Sequence, residues 1–188
     1  SVSPEIRVAD VSFNARQIIE NATLAHQQGA AVCLFPELSL SGYTCGDLFY
    51  QSALYKTIDE SIAKLCQFTQ TTKITLIVGA PIRNEGRLFN CALFVSGGAV
   101  LGVVPKTYIP NGGEYYEERW FSSAKESQTD EILLGNELVP FGSDLIFKCA
   151  DFPGLQIGIE ICEDLWAVVP PSSYLSSGGA TVVFNPSS

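Results

Sequence analysis

The chain has 188 residues, 46% of them hydrophobic, which suffices for one domain with a sizeable core. A formal net charge of −9 argues against nucleic acid or an anionic membrane as the main partner, and no apolar run approaches the roughly 20 residues that span a bilayer. The opening residues lack the basic-then-apolar pattern of a secretory signal, so we expect a cytoplasmic protein whose cysteines are reduced.

In chain order, residues 13–28 carry apolar side chains at helical spacing and stop at Gly29. Residues 31–35 form a short apolar run closed by Pro36, the pattern of a buried strand. Asp47 reads as the N-cap of a helix over residues 48–69, with Ile58, Ile62, Leu65 and Phe68 along one stripe. Three strands follow over 74–80, 89–95 and 100–104, with turns at Asn84-Glu85-Gly86 and Gly97-Gly98. A helical piece over 114–120 precedes a loose polar stretch over 122–137. Further strands are predicted at 145–148 and 156–161, then a helix after Pro170-Pro171 and an apolar strand at 180–184. The alternation predicts an α/β fold with helices covering sheets and no internal domain boundary. The chain contains no Met and stops at Asn185-Pro-Ser-Ser directly after an apolar strand, so truncation is expected.

Three reactive side chains stand where strand-adjacent positions are normally apolar. Glu37 follows residues 31–35 and Pro36; alone it reads either as a solvated loop carboxylate or as one partly desolvated at the mouth of a sheet, where its pKa would rise toward that of a general base. Lys106 follows Val103-Val104-Pro105, and alone it reads as a snorkelling or paired ammonium. Cys162 ends the run GIEIC and precedes Glu163 and Asp164; alone it reads as a buried structural cysteine. Together, thiol, carboxylate and ammonium supply the nucleophile, proton shuttle and oxyanion stabiliser of amide hydrolysis. The single histidine, His26, sits among polar and Ala residues of the first helix, so a histidine-based triad is not expected. The six cysteines form no CxxC pair, and no phosphate-binding glycine motif occurs. No metal site is therefore expected, nor a nucleotide bound by such a motif.

The segments FPELSLSGY, VPKTYIP and GIEICEDLW, in this order, resemble the glutamate, lysine and cysteine motifs of the nitrilase (carbon–nitrogen hydrolase) superfamily. GYTCGDL, EYYEERWF and ICEDLW followed by VPPSS look like the amidase domain of glutamine-dependent NAD synthetases. The resemblance implies a four-layer α-β-β-α sandwich, incomplete at its C-terminus, over residues 1–188. It implies hydrolysis of L-glutamine through a thioester on Cys162, with Glu37 moving the proton and Lys106 and the Glu163 backbone N–H stabilising the oxyanion. Glu114 resembles an additional glutamate that helps hold the lysine. Tyr43, Glu163, Trp166 and Ser187 would line the glutamine pocket. Six positions after the lysine, where the family often has an aromatic residue, this chain has Gly112, so Tyr115 or Tyr116 would take over that contact or glutamine would be held differently. The resemblance also implies no cofactor in this domain. It implies a C-terminal synthetase domain, outside these residues, that uses ATP, Mg2+ and deamido-NAD, and a homo-oligomer. A free-standing amidase or nitrilase, and a catalytically silent interaction domain, are the competing readings.

Overall fold

A computed structural model describes all 188 residues. The first helix, α1 (Val11–Gln27), begins where the Asp10 carboxylate accepts the Phe13 N–H at 3.1 Å, and Gly29, at φ +87°, turns the chain away after it. Strand β1 (Val32–Leu34) follows as predicted. The second helix differs at its start. Residues Gly46–Tyr50 form a 3₁₀ turn, and α2 (Ser52–Thr72) begins after Gln51. Asp47 caps nothing. Its carboxylate takes the Arg119 guanidinium at 2.8 Å through each oxygen and the Trp120 indole N–H at 3.0 Å, a stronger claim than a helix N-terminus makes.

Strands β2 (Thr75–Asn84), β3 (Arg87–Ser96) and β4 (Ala99–Pro105) run longer than predicted and form an antiparallel meander, with β1 parallel to β2 at the edge. The predicted helix over 114–120 shrinks to a 3₁₀ turn, Glu117–Arg119. The stretch read as loose contains a hairpin, β5 (Glu131–Leu134) and β6 (Glu137–Pro140), whose Ile132 and Val139 join the core beside β4. Strands β7 (Phe147–Lys148), β8 (Gln156–Ile159) and β9 (Val182–Phe184) form a second sheet, with α3 (Pro171–Ser177) between β8 and β9 in sequence.

Alternation along the strands sorts the side chains into two cores. Leu76, Val78, Ala80, Cys91 and Leu93 face α1 and α2, joining Ile18, Ile58 and Leu65. Ile77, Ala92, Phe94 and Val104 face the other way, onto Ile157 and Ile159 of the second sheet and Ile161 just beyond it. The Phe94 and Phe147 rings stack across that gap at 4.0 Å between centroids. Outside the second sheet, Leu175 of α3 lies against Gly158. The layers are therefore helix, sheet, sheet, helix, as expected. No helix is long and apolar enough to cross a membrane.

Candidate active site

The face between the sheets is apolar along most of its length and polar at one end. Asn90 shares a face with Ala92 and Phe94, and Lys106 follows two residues after Val104, its N–H donating to the Asn90 carbonyl at 2.8 Å. The register therefore brings Asn90 and Lys106 side by side where the apolar core gives out.

Glu37 reaches the same spot by a tight turn after β1. Leu38, at φ +52°, reverses the chain, which is then fastened to β2: the Leu40 N–H donates to the Gly79 carbonyl at 2.9 Å and the Gly79 N–H to Ser39 Oγ at 3.1 Å. Gly79 is required by this approach, since a Cβ there would lie 2.2 Å from the Leu38 nitrogen and 2.8 Å from the Glu37 carbonyl carbon.

The Lys106 ammonium, fully buried, donates to Glu37 Oε1 at 2.6 Å and to Glu117 Oε1 at 2.8 Å. Asn90 Nδ2 donates to Glu37 Oε1 at 2.7 Å, and the Tyr43 hydroxyl to Glu117 Oε1 at 2.6 Å. Glu37 Oε2 is buried without a partner. Burial pushes the Glu37 carboxyl up, against the pull of Lys106. Burial works against the charge of Lys106, but Glu37 and Glu117 outweigh it and hold the amine above its ordinary range. Tyr43 is raised by burial and by its bond to Glu117.

Cys162 comes from the other sheet. Ile157, Ile159 and Ile161 alternate inward, and the chain then enters a 3₁₀ turn, Cys162–Trp166, with Cys162 at φ +46°. A non-glycine residue in the left-handed region costs of order 1–3 kcal/mol and persists only where its surroundings enforce it. Here the Cys162 N–H donates to the Pro186 carbonyl at 3.1 Å, and Asn185 Nδ2 to the Cys162 carbonyl at 3.3 Å. The half-buried thiol lies close enough to Glu37, Lys106 and Ser187 for all three to affect its ionisation. Burial and the Glu37 charge push it up, while Lys106 and the nearby Ser187, whose hydroxyl donates to Asn185 Oδ1 at 2.7 Å, pull it down, and the net direction is up.

Thus the structure gathers Glu37, Lys106 and Cys162, with Tyr43 and Ser187 at the edge. Glu114 is not among them. It is exposed, and Glu117 holds the lysine instead. The reason is the 3₁₀ turn: Phe121 N–H bonds to the Glu117 carbonyl at 2.9 Å, and the buried Phe121 ring packs on Phe49, so Glu117 is the glutamate turned inward. Trp166 also lies apart, 77% exposed, because the turn directs Asp164 inward and leaves Leu165 and Trp166 outside. Glu163 is half-buried and its N–H has no acceptor. Gly112 faces open space, and Tyr115 and Tyr116 border a cleft of about 140 Å³ that also touches Tyr43 and Glu117. Sequence reasoning missed Asn90 and Glu117. The signal for Asn90 was legible, a lone amide inside the apolar run FNCALFV, whereas nothing local separates Glu117 from Glu114 and Glu118.

The carbon-nitrogen hydrolase family profile matches residues 1–188. The glutamine-dependent NAD(+) synthetase of Mycobacterium tuberculosis is 38% identical over 178 residues, covering 95% of this chain and 26% of that protein. The crystal structure of a glutamine-dependent NAD(+) synthetase from Cytophaga hutchinsonii superposes with a TM-score of 0.82 at 29% identity, over 99% of this chain and 29% of that one. An amidase from Nesterenkonia sp. has a TM-score of 0.74 at 19% identity over 98% of this chain and 63% of that one, a likeness of fold alone. The chain spans about a quarter of the length of the curated relatives it matches.

Proposed function

Because this chain belongs to the carbon-nitrogen hydrolase family, we propose that it hydrolyses the side-chain amide of L-glutamine through a thioester on Cys162. The observation that carries this reading is the buried Glu37–Lys106 pair at 2.6 Å with the Cys162 thiol beside both. The amide substrate is suggested by the synthetase names of the relatives.

The free thiol is raised, so it rests protonated and attack is coupled to proton transfer. As the sulfur bonds to the amide carbon, its proton passes to Glu37, whose Oε2 is free while Lys106 and Asn90 hold Oε1. The carbonyl electron pair moves onto oxygen, stabilised by the Lys106 ammonium and the Glu163 N–H. One such donor is typically worth about 3–4 kcal/mol. The C–N bond then breaks, and the departing nitrogen takes the proton back from Glu37 as ammonia leaves. Glu37 next takes a proton from water, whose oxygen attacks the thioester. Glutamate forms as the C–S bond breaks, and the sulfur recovers the proton. Tyr43, Glu163 and Ser187 border the position of the substrate, with Tyr115 or Tyr116 supplying the aromatic contact missing at Gly112.

We further propose that residues 1–188 are the glutaminase domain of a glutamine-dependent NAD synthetase. In this reading its ammonia amidates deamido-NAD in a separate synthetase domain that uses ATP and Mg2+. The assembly is cytoplasmic and homo-oligomeric, and the six cysteines, all unpaired, suit a reducing compartment. Cys162→Ala should lower glutamine hydrolysis about ten-thousand-fold or more while leaving circular dichroism and Tm unchanged. A diazo-ketone glutamine analogue should leave one adduct, on Cys162. Hydrolysis that survives in Cys162→Ala, or an adduct on another residue, would sink the mechanism.

A further inference from the structure

Asp164 has no part in the chemistry above, yet it is among the most buried carboxylates in the chain at 1% exposure. Its Oδ1 accepts the Thr107 N–H at 3.0 Å and the Tyr108 N–H at 2.7 Å; its Oδ2 accepts the Ile161 N–H at 3.0 Å and a longer contact from Thr107 at 3.3 Å. Thr107 and Tyr108 directly follow Lys106, and Ile161 directly precedes Cys162. One carboxylate therefore clasps the backbone on both sides of the gap between the two sheets. The other hydrogen bond between these segments, from the Tyr108 hydroxyl to the Val169 carbonyl at 2.9 Å, lies at the exposed rim.

A role in shaping the 3₁₀ turn alone would explain the bond to Ile161 and leave two bonds across the gap without purpose. Those two bonds are the ones that bind the lysine segment to the cysteine segment, which otherwise belong to different sheets. We propose that Asp164 is a positioning residue that holds the Lys106 ammonium in register with the Cys162 sulfur. This rests on the reading that both groups act on one carbonyl. An amide in place of the carboxylate keeps the size but turns an NH2 toward a backbone N–H, so Asp164→Asn removes at least one strand of the clasp without opening a cavity.

The test uses the full-length protein. Asp164→Asn should lower kcat for glutamine about a hundredfold, the loss expected of misplacement by about 1 Å, with KM changed less than about threefold because Asp164 touches no substrate. Alkylation of Cys162 by iodoacetamide reads the coupling directly. In the wild type, Lys106→Gln should change its rate; in the Asp164→Asn background, the same substitution should change it little. Wild-type kcat in Asp164→Asn, or an equal effect of Lys106→Gln in both backgrounds, would overturn the proposal. Should Asp164→Asn fail to fold, hydrogen exchange on the wild type decides: the amides of Thr107, Tyr108 and Ile161 should open together, and independent, rapid exchange of the lysine-segment amides would refute the clasp. If the wild type hydrolyses no glutamine, the functional reading fails, while the alkylation and exchange measurements still judge Asp164.

Discussion

Burial acts against charge at every member of the Glu37, Lys106 and Cys162 cluster, and the neighbours decide the outcome. Lys106 keeps its charge because two carboxylates face it, at 2.6 and 2.8 Å. Cys162 keeps its proton because burial and Glu37 together outweigh Lys106 and Ser187. The signs can be separated by alkylating Cys162 with an uncharged electrophile as a function of pH. The midpoint should lie above that of an ordinary cysteine. Glu37→Gln should move it down by removing a negative charge, and Lys106→Gln should move it up by removing a positive one. Shifts in the opposite sense would mean that the thiol does not sit between these two groups.

At the scale of elements, the site depends on how closely turns can approach strands. Gly79 of β2 lets the glutamate turn lie directly on the sheet, so Gly79→Ala should cost about 1–3 kcal/mol through overpacking and should displace Glu37. Denaturant unfolding together with glutaminase activity would check this; a fully stable, fully active variant would show that the turn can move aside. The cysteine turn and lysine segment meet at Asp164, whose carboxyl burial raises to about 6. The folded state thus binds that proton more tightly than the unfolded chain does. The contribution of Asp164 to stability should be greatest below the ordinary carboxyl range, fall as pH rises toward about 6, and level off above. The full effect of a shift of this size is about 3 kcal/mol. Asp164→Asn should remove that contribution from the stability profile, leaving one of the same sign from Glu37, whose carboxyl is also raised by burial.

At the scale of the whole molecule, Glu37 and Lys106 follow strands of one sheet and Cys162 follows a strand of the other, so the alignment of the groups proposed to react is a property of the sheet-to-sheet packing. Phe147 stacks on Phe94 and lies against Gly102, where a Cβ would come within 2.7 Å of its ring. Phe147→Ala should cost about 2–3 kcal/mol, less than truncating a fully buried ring, because Phe147 is only half-buried. Glutaminase activity should fall by more than the folded fraction does, since loosening the gap separates sulfur from ammonium. Activity falling only in step with unfolding would disconnect the packing from the chemistry.

The sequence by itself determined the order of the main elements and the two-sided burial of the strands, and it singled out the three polar side chains, Glu37, Lys106 and Cys162, that the fold brings together. Each of these is carried by local periodicity or by a polar residue in an apolar run. Tertiary structure decided what depends on direction. It turned Glu117 rather than Glu114 toward Lys106, left Trp166 in solvent, and gave Asp47 to Arg119 instead of a helix N-terminus. It also hid a hairpin in a stretch that reads as loose, because β5 and β6 are stabilised chiefly by lying against β4. The physical reason is common to all of these. Periodicity reports which face of an element is buried, while the choice among neighbouring polar groups is made by partners from distant parts of the chain, which only folding brings within reach.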